Sequence, residues 1–512
     1  MTPPFQLSAL QDLKPADRST FQRFGTGPAA RPPFTRIHHA VRAHAVRHPW
    51  AVAVEHLGDT VTYGELDHRA DLLAGTLAEA GVRPGDRVGL FLTRSIPMVV
   101  GILAILKTGA AYVPQDIRIT PAGQLRHIVS VAGIRVVLTT TDHEPTLPPG
   151  LAEVIAVDTA PGVARAKRAD GSGEVAAVIF TSGTTGQPNG VQVTHANLCN
   201  ILLTAPGNLG IGLGVRVAQL LNIAFDMAAW EILGTLANGG TLVVRGQDVQ
   251  AAASSAHVLI ATPSVLSGLD PDACGGARTV AVAGERCPRE LAQAWSGRLA
   301  FHNSCGPTEV TIVNTFQRYE PGSGVPTIGR PVPNTTVYVL DDALRPCPIG
   351  AVGEMWAGGA CVTAGYLGNA ELTAERYLPD PFLGGEHRMF RTRDLGRWTP
   401  AGQLEHHGRT DDQVKVRGFR VELDAVTSAL ERAARCVRAA TILHEGRLIG
   451  FVSPAGVVPD EARRAVEDRL PYYYVPTLIV PVERLPITDR GKVDRRALLS
   501  CLDDPARLET VA

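Results

Sequence analysis

Apolar, β-rich runs at residues 175–180, 257–261 and 280–283 are each followed by a loop of Gly, Pro, Ser or Thr and then by a helical pattern. Strands that alternate with helices imply largely parallel sheets covered on both faces. Ligands of such folds sit at the carboxyl ends of strands, where loops meet helix N-termini. The alternation is already regular from Tyr63: a helix over 63–80 stopped by Gly81, a strand over 88–92, and a helix over 95–107 ending at Gly109.

Two segments break the pattern. Residues 329–409 are rich in Gly and short strands, which predicts a smaller β subdomain. After Asp411 a hairpin (414–421), a helix (424–435), a strand (448–452) and a helix (460–470) predict a small separate unit. The expected organisation is a Pro-rich leader or linker over 1–35, a large domain over 36–410 and a small C-terminal domain over 411–512. A chain of 512 residues has room for two to four such units.

Charge and composition exclude several classes. Lys and Arg number 49 against 50 Asp and Glu, so there is no basic footprint for nucleic acid and no cationic membrane-surface helix. The most apolar stretch, 96–106, is far shorter than the roughly 20 residues that span a bilayer. The first residues lack the basic and apolar pattern of a signal peptide. Eight cysteines without C-x-x-C or zinc-finger spacing read as reduced thiols, which predicts a cytoplasmic protein.

Five motifs carry chemistry. The run Thr181-Ser-Gly-Thr-Thr-Gly-Gln-Pro-Asn-Gly190 follows a strand; its glycines permit close backbone approach to a polyphosphate, and its hydroxyls add donors. No Gly-Lys-Ser/Thr ends it, so it is not a Walker A loop. In Asn303-Ser-Cys-Gly-Pro-Thr-Glu309, the carboxylate of Glu309 suits a magnesium ion shared with phosphate oxygens. Phe390-Arg-Thr-Arg-Asp394 offers an acceptor for ribose hydroxyls. Gly408-Arg-Thr-Asp-Asp-Gln-Val-Lys415 and Asp489-Arg-Gly-Lys492 complete the set. Singly, each has a bland alternative: a turn, or a solvated lysine.

In this order and spacing the five resemble the adenylate-forming superfamily, specifically the adenylation domains of nonribosomal peptide synthetases. The resemblance covers about residues 35 to 500 and takes in Val61-Thr-Tyr-Gly-Glu-Leu66, Leu106-Lys-Thr-Gly-Ala-Ala-Tyr-Val-Pro114, Phe225-Asp226, Gly353-Glu354 and Gly365-Tyr-Leu through Tyr377. It implies an α/β protein: a large N-terminal domain of layered αβ sheets with a β subdomain, and a small mobile α+β C-terminal domain, the active site lying between them. It also implies ATP and Mg2+. Thr181, Ser182, Gly183, Thr184, Thr185 and Gly186 would hold the polyphosphate. Ser304, Cys305, Gly306, Thr308, Asp394 and Arg409 would bind the rest of the nucleotide. Glu309 would help hold the metal, and Lys492 would bridge the attacking carboxylate and the α-phosphate. Rotation about Asp411 would then withdraw Lys492 and admit the phosphopantetheine thiol of a carrier protein. Some members of the family also need a small MbtH-like helper protein.

Within that family, Asp226 discriminates. A pocket carboxylate pairs with an α-ammonium group and repels an uncharged tail or ring; its bland alternative is a helix cap. By the same resemblance Met227, Trp230, Ile260, Ala281, Ala283, Ser304, Ile312 and Val313 line the rest of the pocket, with Lys492 reaching in. The lining is apolar and has no second charge, so a basic or acidic side chain would lie unpaired. The expected substrate is a neutral, mostly apolar amino acid. Met227 narrows the space near the backbone, which leaves a smaller or β-amino acid open. No carrier segment follows Lys492, so the acceptor thiol is expected from another chain or a missing segment.

Three positions depart from the family's pattern. Asn189 replaces a Lys of the Gly-rich loop, Cys305 an aromatic that stacks on adenine, and Arg393 the usual Gly before Asp394. Loss of one stacking contact weakens nucleotide binding by on the order of 1 kcal/mol. The competing expectations are an acyl- or aryl-CoA ligase, against which Asp226 argues, and a non-catalytic nucleotide-binding paralogue, against which Lys492 argues.

Overall fold

The computed structural model describes residue 10 and residues 15–160, 162–163, 173–183, 187–487 and 493–503. The chain divides into two compact units. The larger takes in Met1–Asp116, Val131–Phe180 and Gly190–Thr410; the smaller takes in Ile117–Ser130, Thr181–Asn189 and Asp411–Ala512. The smaller unit therefore draws in two segments that lie far from 411–512 in sequence, one of them the Gly-rich loop.

The larger unit contains the α/β layers that the alternation predicts. One sheet has six strands in the order Glu153–Ala156, Val136–Thr139, Arg87–Phe91, Ala111–Gln115, Val175–Thr181, Asn189–Thr194. A nine-stranded sheet has a parallel centre of Ala300–Cys305, Thr279–Val282, Val258–Ala261, Arg216–Gln219 and Thr241–Val244. Helices are set by local chemistry. Helix Tyr63–Glu79 opens on a Thr62–Glu65 capping box, and Gly81 follows at φ 83°. Helix Ile96–Thr108 is capped by Ser95 and stopped by Gly109 at φ 82°. Its apolar residues are buried in the main core, as expected for 96–106. Among the described residues no helix is long and apolar enough to cross a membrane.

The β subdomain of the larger unit is an antiparallel sheet of Thr335–Leu340, Gly353–Gly359, Arg388–Trp398, Tyr377–Pro379 and Leu404–Arg409. Part of the expected leader packs on it. Helix Pro15–Gly25 buries Phe21, stacked 6.0 Å from Tyr338, and Phe24, 5.8 Å from Trp398. Its apolar anchors make it part of the core.

The smaller unit is α+β, with its own apolar cores. Strands Gln413–Val416 and Phe419–Glu422 form a hairpin whose turn, Arg417 at φ 51° and Gly418 at φ 86°, is left-handed at both positions. Strands Arg438–His444, Arg447–Ser453 and Leu478–Pro481 form a second sheet. The helix expected over 424–435 spans only Leu423–Leu430, and Arg435 takes φ 64°.

Candidate active site

Four neighbouring parallel strands of the nine-stranded sheet end on one edge, and most expected pocket residues lie there. Ile260 pairs in register with Ala281, and Ala281 with His302, so these side chains neighbour one another across the sheet. Met227, Trp230, Ile260, Ala281, Ala283, Ile312 and Val313 share one core cluster. Gly306 has to be glycine: a Cβ there would lie 2.6 Å from Val313 Cα and 3.0 Å from Ile312 O. The backbone is strained beside it. Thr311 and the β-branched Ile312 sit at φ 61° and 71°, a combination that costs on the order of 1–3 kcal/mol per residue and concentrates at ligand sites. Thr311 Oγ1 donates to Cys361 O at 2.8 Å and pins the turn. Trp230 is 0% exposed and its indole N–H donates to Gly207 O at 2.6 Å. It packs as core behind the strand ends, with its polar group already satisfied.

Asp226 stands at the N-cap position of helix Met227–Ala237, yet its side chain makes no capping hydrogen bond. The helix-cap alternative therefore does not describe it. Its charge, after burial the second cause, raises the Tyr112 phenol pKa, which brings the carboxylate within electrostatic reach of Tyr112. Ser304 is buried at the end of strand Ala300–Cys305, and its hydroxyl has no hydrogen-bond partner among the described residues. A buried orphan hydroxyl is a group that a ligand would satisfy.

Glu309 lies in the short turn Thr308–Val310 and is 0% exposed. Tyr366 donates its hydroxyl to Glu309 Oε1 at 2.7 Å. Tyr366 sits in the quoted Gly365-Tyr-Leu run, but 57 residues separate it from Glu309, and nothing local in sequence joins them. No group of three or more His, Cys, Asp or Glu that could hold a metal occurs among the described residues. The donor set fits Mg2+ held by one carboxylate, substrate phosphates and water, which is the ordinary arrangement for that ion beside a nucleotide. Cys305 and Thr308 are half-buried on the same segment.

Asp394 lies directly opposite Arg409 in the antiparallel pair of Arg388–Trp398 with Leu404–Arg409. Arg409 Nη1 meets Asp394 Oδ1 at 2.6 Å, and His406 Nε2 donates to the same oxygen at 3.3 Å. Burial alone would raise this carboxyl's pKa; the His406 hydrogen bond and the Arg409 charge outweigh it and hold it below the ordinary value. Arg393 takes φ 62°, the left-handed conformation that suits the glycine of the family pattern. Glu354 accepts from the Arg393 backbone N–H at 3.2 Å, and Arg393 Nη2 reaches Glu375 at 2.6 Å.

In the smaller unit, Thr181 Oγ1 donates to Asn189 O at 3.4 Å. A Cβ on Gly183 would lie 2.3 Å from Gln187 O, so this position needs glycine. Asp411 Oδ1 accepts weakly from Gln413 N–H at 3.4 Å. Thr184, Thr185, Gly186 and Lys492 lie outside the described residues.

A family model described as AMP-binding enzyme matches residues 41–367. The chain is 45% identical over 499 residues to an adenylate-forming reductase of Coprinopsis cinerea, covering 96% of this chain and 49% of that protein. It is 38% identical over 523 residues to an isonitrile lipopeptide synthase of Mycobacterium tuberculosis, covering 96% of this chain and 20% of that protein. The chain thus spans about half the length, or less, of these curated relatives. A solved NRPS protein containing adenylation and PCP domains, bound to a vinylsulfonamide inhibitor, superposes with TM-score 0.83 at 26% identity, covering 94% of this chain and 85% of that one.

Proposed function

The chain belongs to the AMP-binding enzyme family, and on that premise we propose that it activates a neutral, mostly apolar amino acid as its acyl-adenylate. One observation carries the reading. Asp226 offers a carboxylate, not used for helix capping, at an edge otherwise walled by apolar side chains. An α-ammonium group is the ligand that such a carboxylate selects.

The substrate carboxylate attacks the α-phosphorus of ATP, the bond to the β-phosphate oxygen breaks, and pyrophosphate leaves. Asp226 holds the ammonium group, and Asp394 accepts from the ribose hydroxyls. Arg409, paired with Asp394 in the free protein, contacts the nucleotide. Glu309, oriented by Tyr366, would hold Mg2+, which screens phosphate charge when bound. Lys492 stabilises the charge that develops between carboxylate and α-phosphate. Catalysis of this kind rests on positioning and electrostatics and needs no protein nucleophile. In a second step the carrier's phosphopantetheine thiol attacks the acyl carbon and AMP leaves. The solved relative with adenylation and PCP domains supports that acceptor.

ATP–pyrophosphate exchange across a panel of amino acids tests the reading. Neutral substrates should exchange most strongly and Lys492→Ala should lose at least about a hundredfold in rate. Strongest exchange with lysine, arginine, aspartate or glutamate would overturn the substrate class. A second reading has one support, the adenylate-forming reductase relatives: the activated acyl group then accepts a hydride from a separate hydride donor, and the thiol or AMP that carries it leaves. Release of an aldehyde instead of a carrier thioester, when the full-length protein is supplied with a hydride donor, would favour it.

A further inference from the structure

Glu231 is 0% exposed, one turn beyond Asp226 in helix Met227–Ala237. A buried carboxylate without partners is costly. Here its oxygens accept from three donors: the backbone N–H of Leu220 at 2.7 Å, that of Leu221 at 3.1 Å, and the side-chain amide of Gln219 at 3.0 Å. All three belong to the segment that leaves strand Arg216–Gln219 and leads to Asp226. The carbonyls of the same residues are held from outside. Arg94 donates to Leu221 O at 3.0 Å and Leu220 O at 3.2 Å, and Arg245 to Leu220 O at 3.0 Å. Gln219 Nε2 also donates to Leu221 O at 2.6 Å. Farther along, Asn222 donates to Asp116 at 3.0 Å and accepts from Ala224 N–H at 2.9 Å.

An apolar side chain would pack this helix against the sheet as well as Glu231 does. What the carboxylate adds is a fixed path for residues 219–221, and hence for the loop that presents Asp226. Burial pushes its pKa up to about 8, opposed by the donors of residues 219–221 and by Arg94. A carboxyl group here carries a burial cost that an apolar side chain would not, and its three donors offset that cost.

We propose that Glu231 is a positioning residue: holding Gln219 and the N–H groups of Leu220 and Leu221 while Arg94 and Arg245 hold the carbonyls of that segment, it sets where Asp226 meets the substrate amine and leaves nucleotide binding alone. This rests on the reading of Asp226 as the amine anchor. Glu231→Leu should raise the amino-acid KM about tenfold with the ATP KM unchanged, read by pyrophosphate exchange. Glu231→Gln should restore most of the loss. Its amide can still accept from Leu220 and Leu221 and donate to Gln219 Oε1, an atom without a partner among the described residues. In an Asp226→Ala background, Glu231→Leu should add nothing to the amino-acid KM, because both act through one contact. Should Glu231→Leu fail to fold, Arg94→Ala carries the same KM split. Equal shifts in both KM values, or additive losses in the double variant, would overturn the positioning role. An Asp226→Ala variant with unchanged amino-acid KM would instead overturn the anchor on which it rests.

Discussion

Asp226 and Asp394 are both carboxylates of the larger unit, assigned to opposite ends of the substrate pair, and their surroundings differ in kind. Asp226 follows a parallel strand. There the chain must leave the sheet through a loop, and backbone groups of that loop are satisfied by Glu231, Gln219, Arg94 and Arg245. Its own carboxylate caps nothing. Asp394 lies within an antiparallel pair, where register places a residue directly opposite; that residue is Arg409, and the two form an ion pair at 2.6 Å. The parallel end thus presents a carboxylate on a braced loop. The antiparallel end presents one held by Arg409, which the proposed ribose contact would have to share.

Acid should act most strongly on two buried histidines of the helical layers and least on the Asp394 pair. In the helical layers of the larger unit, His38 and His195 meet edge-on at 5.2 Å, and burial, aided by neighbouring imidazoles and Arg36, lowers their pKa values from 6.5 to about 2 and about 3. Lys107 adds to the effect on His38. Both rings are neutral when folded, so the stability they permit is complete above pH 6.5 and falls as pH drops toward their folded values. The expected slope is roughly 1.4 kcal/mol per pH unit for each ring. Asp394 has the lowered carboxylate pKa of an ion pair, so its contribution holds above its ordinary value near 3.8 and is lost only below it. Urea midpoints of wild type and His38→Leu between pH 7 and 5 check this: the variant's acid limb should be flatter, and parallel limbs would remove the contrast.

Asp226→Ala comes next. It should raise the amino-acid KM about a hundredfold, the loss of one charge partner in a largely desolvated site, and leave the ATP KM within about twofold. Arg409→Ala should do the reverse on a smaller scale, an ATP KM about tenfold higher with little change for the amino acid. If either variant moved both constants together, the two ends would not be independent. The smallest effect belongs to Arg393→Gly. Relief of a left-handed non-glycine backbone is worth on the order of 1 kcal/mol, and the exposed pair with Glu375 offsets a fraction of it. The variant's melting temperature should stay level or rise slightly; a clear fall would mean that the Arg393 side chain has a role that the family's glycine lacks.

Much of the architecture was legible because its causes are local. Thr62 with Glu65, Ser95, and Gly109 at φ 82° are cap signals within a few residues of the helices they bound. The hairpin over 413–422 follows from alternation and a Gly turn. The helix expected over 424–435 stops at Leu430 although good helix formers continue to Arg435, because the chain turns there and Arg435 takes φ 64°. Within the site, the chemistry-bearing residues could be named from motifs. Their partners could not: Tyr366 reaches Glu309 across 57 residues, and Arg94 reaches Leu221 across 127.

The amino-acid order alone determined the α/β class and named the strand ends and the acidic residue on which the proposed amine recognition rests, because periodicity, caps and turn residues act over a few positions. The tertiary structure decided which carboxylate leaves its helix uncapped, which meets Arg409 and which braces a loop. It also decided that Ile312 is strained and that Gly306 has no room for a side chain. Those outcomes depend on sheet register and on groups brought together from distant segments, where burial makes each unmet hydrogen bond or charge costly.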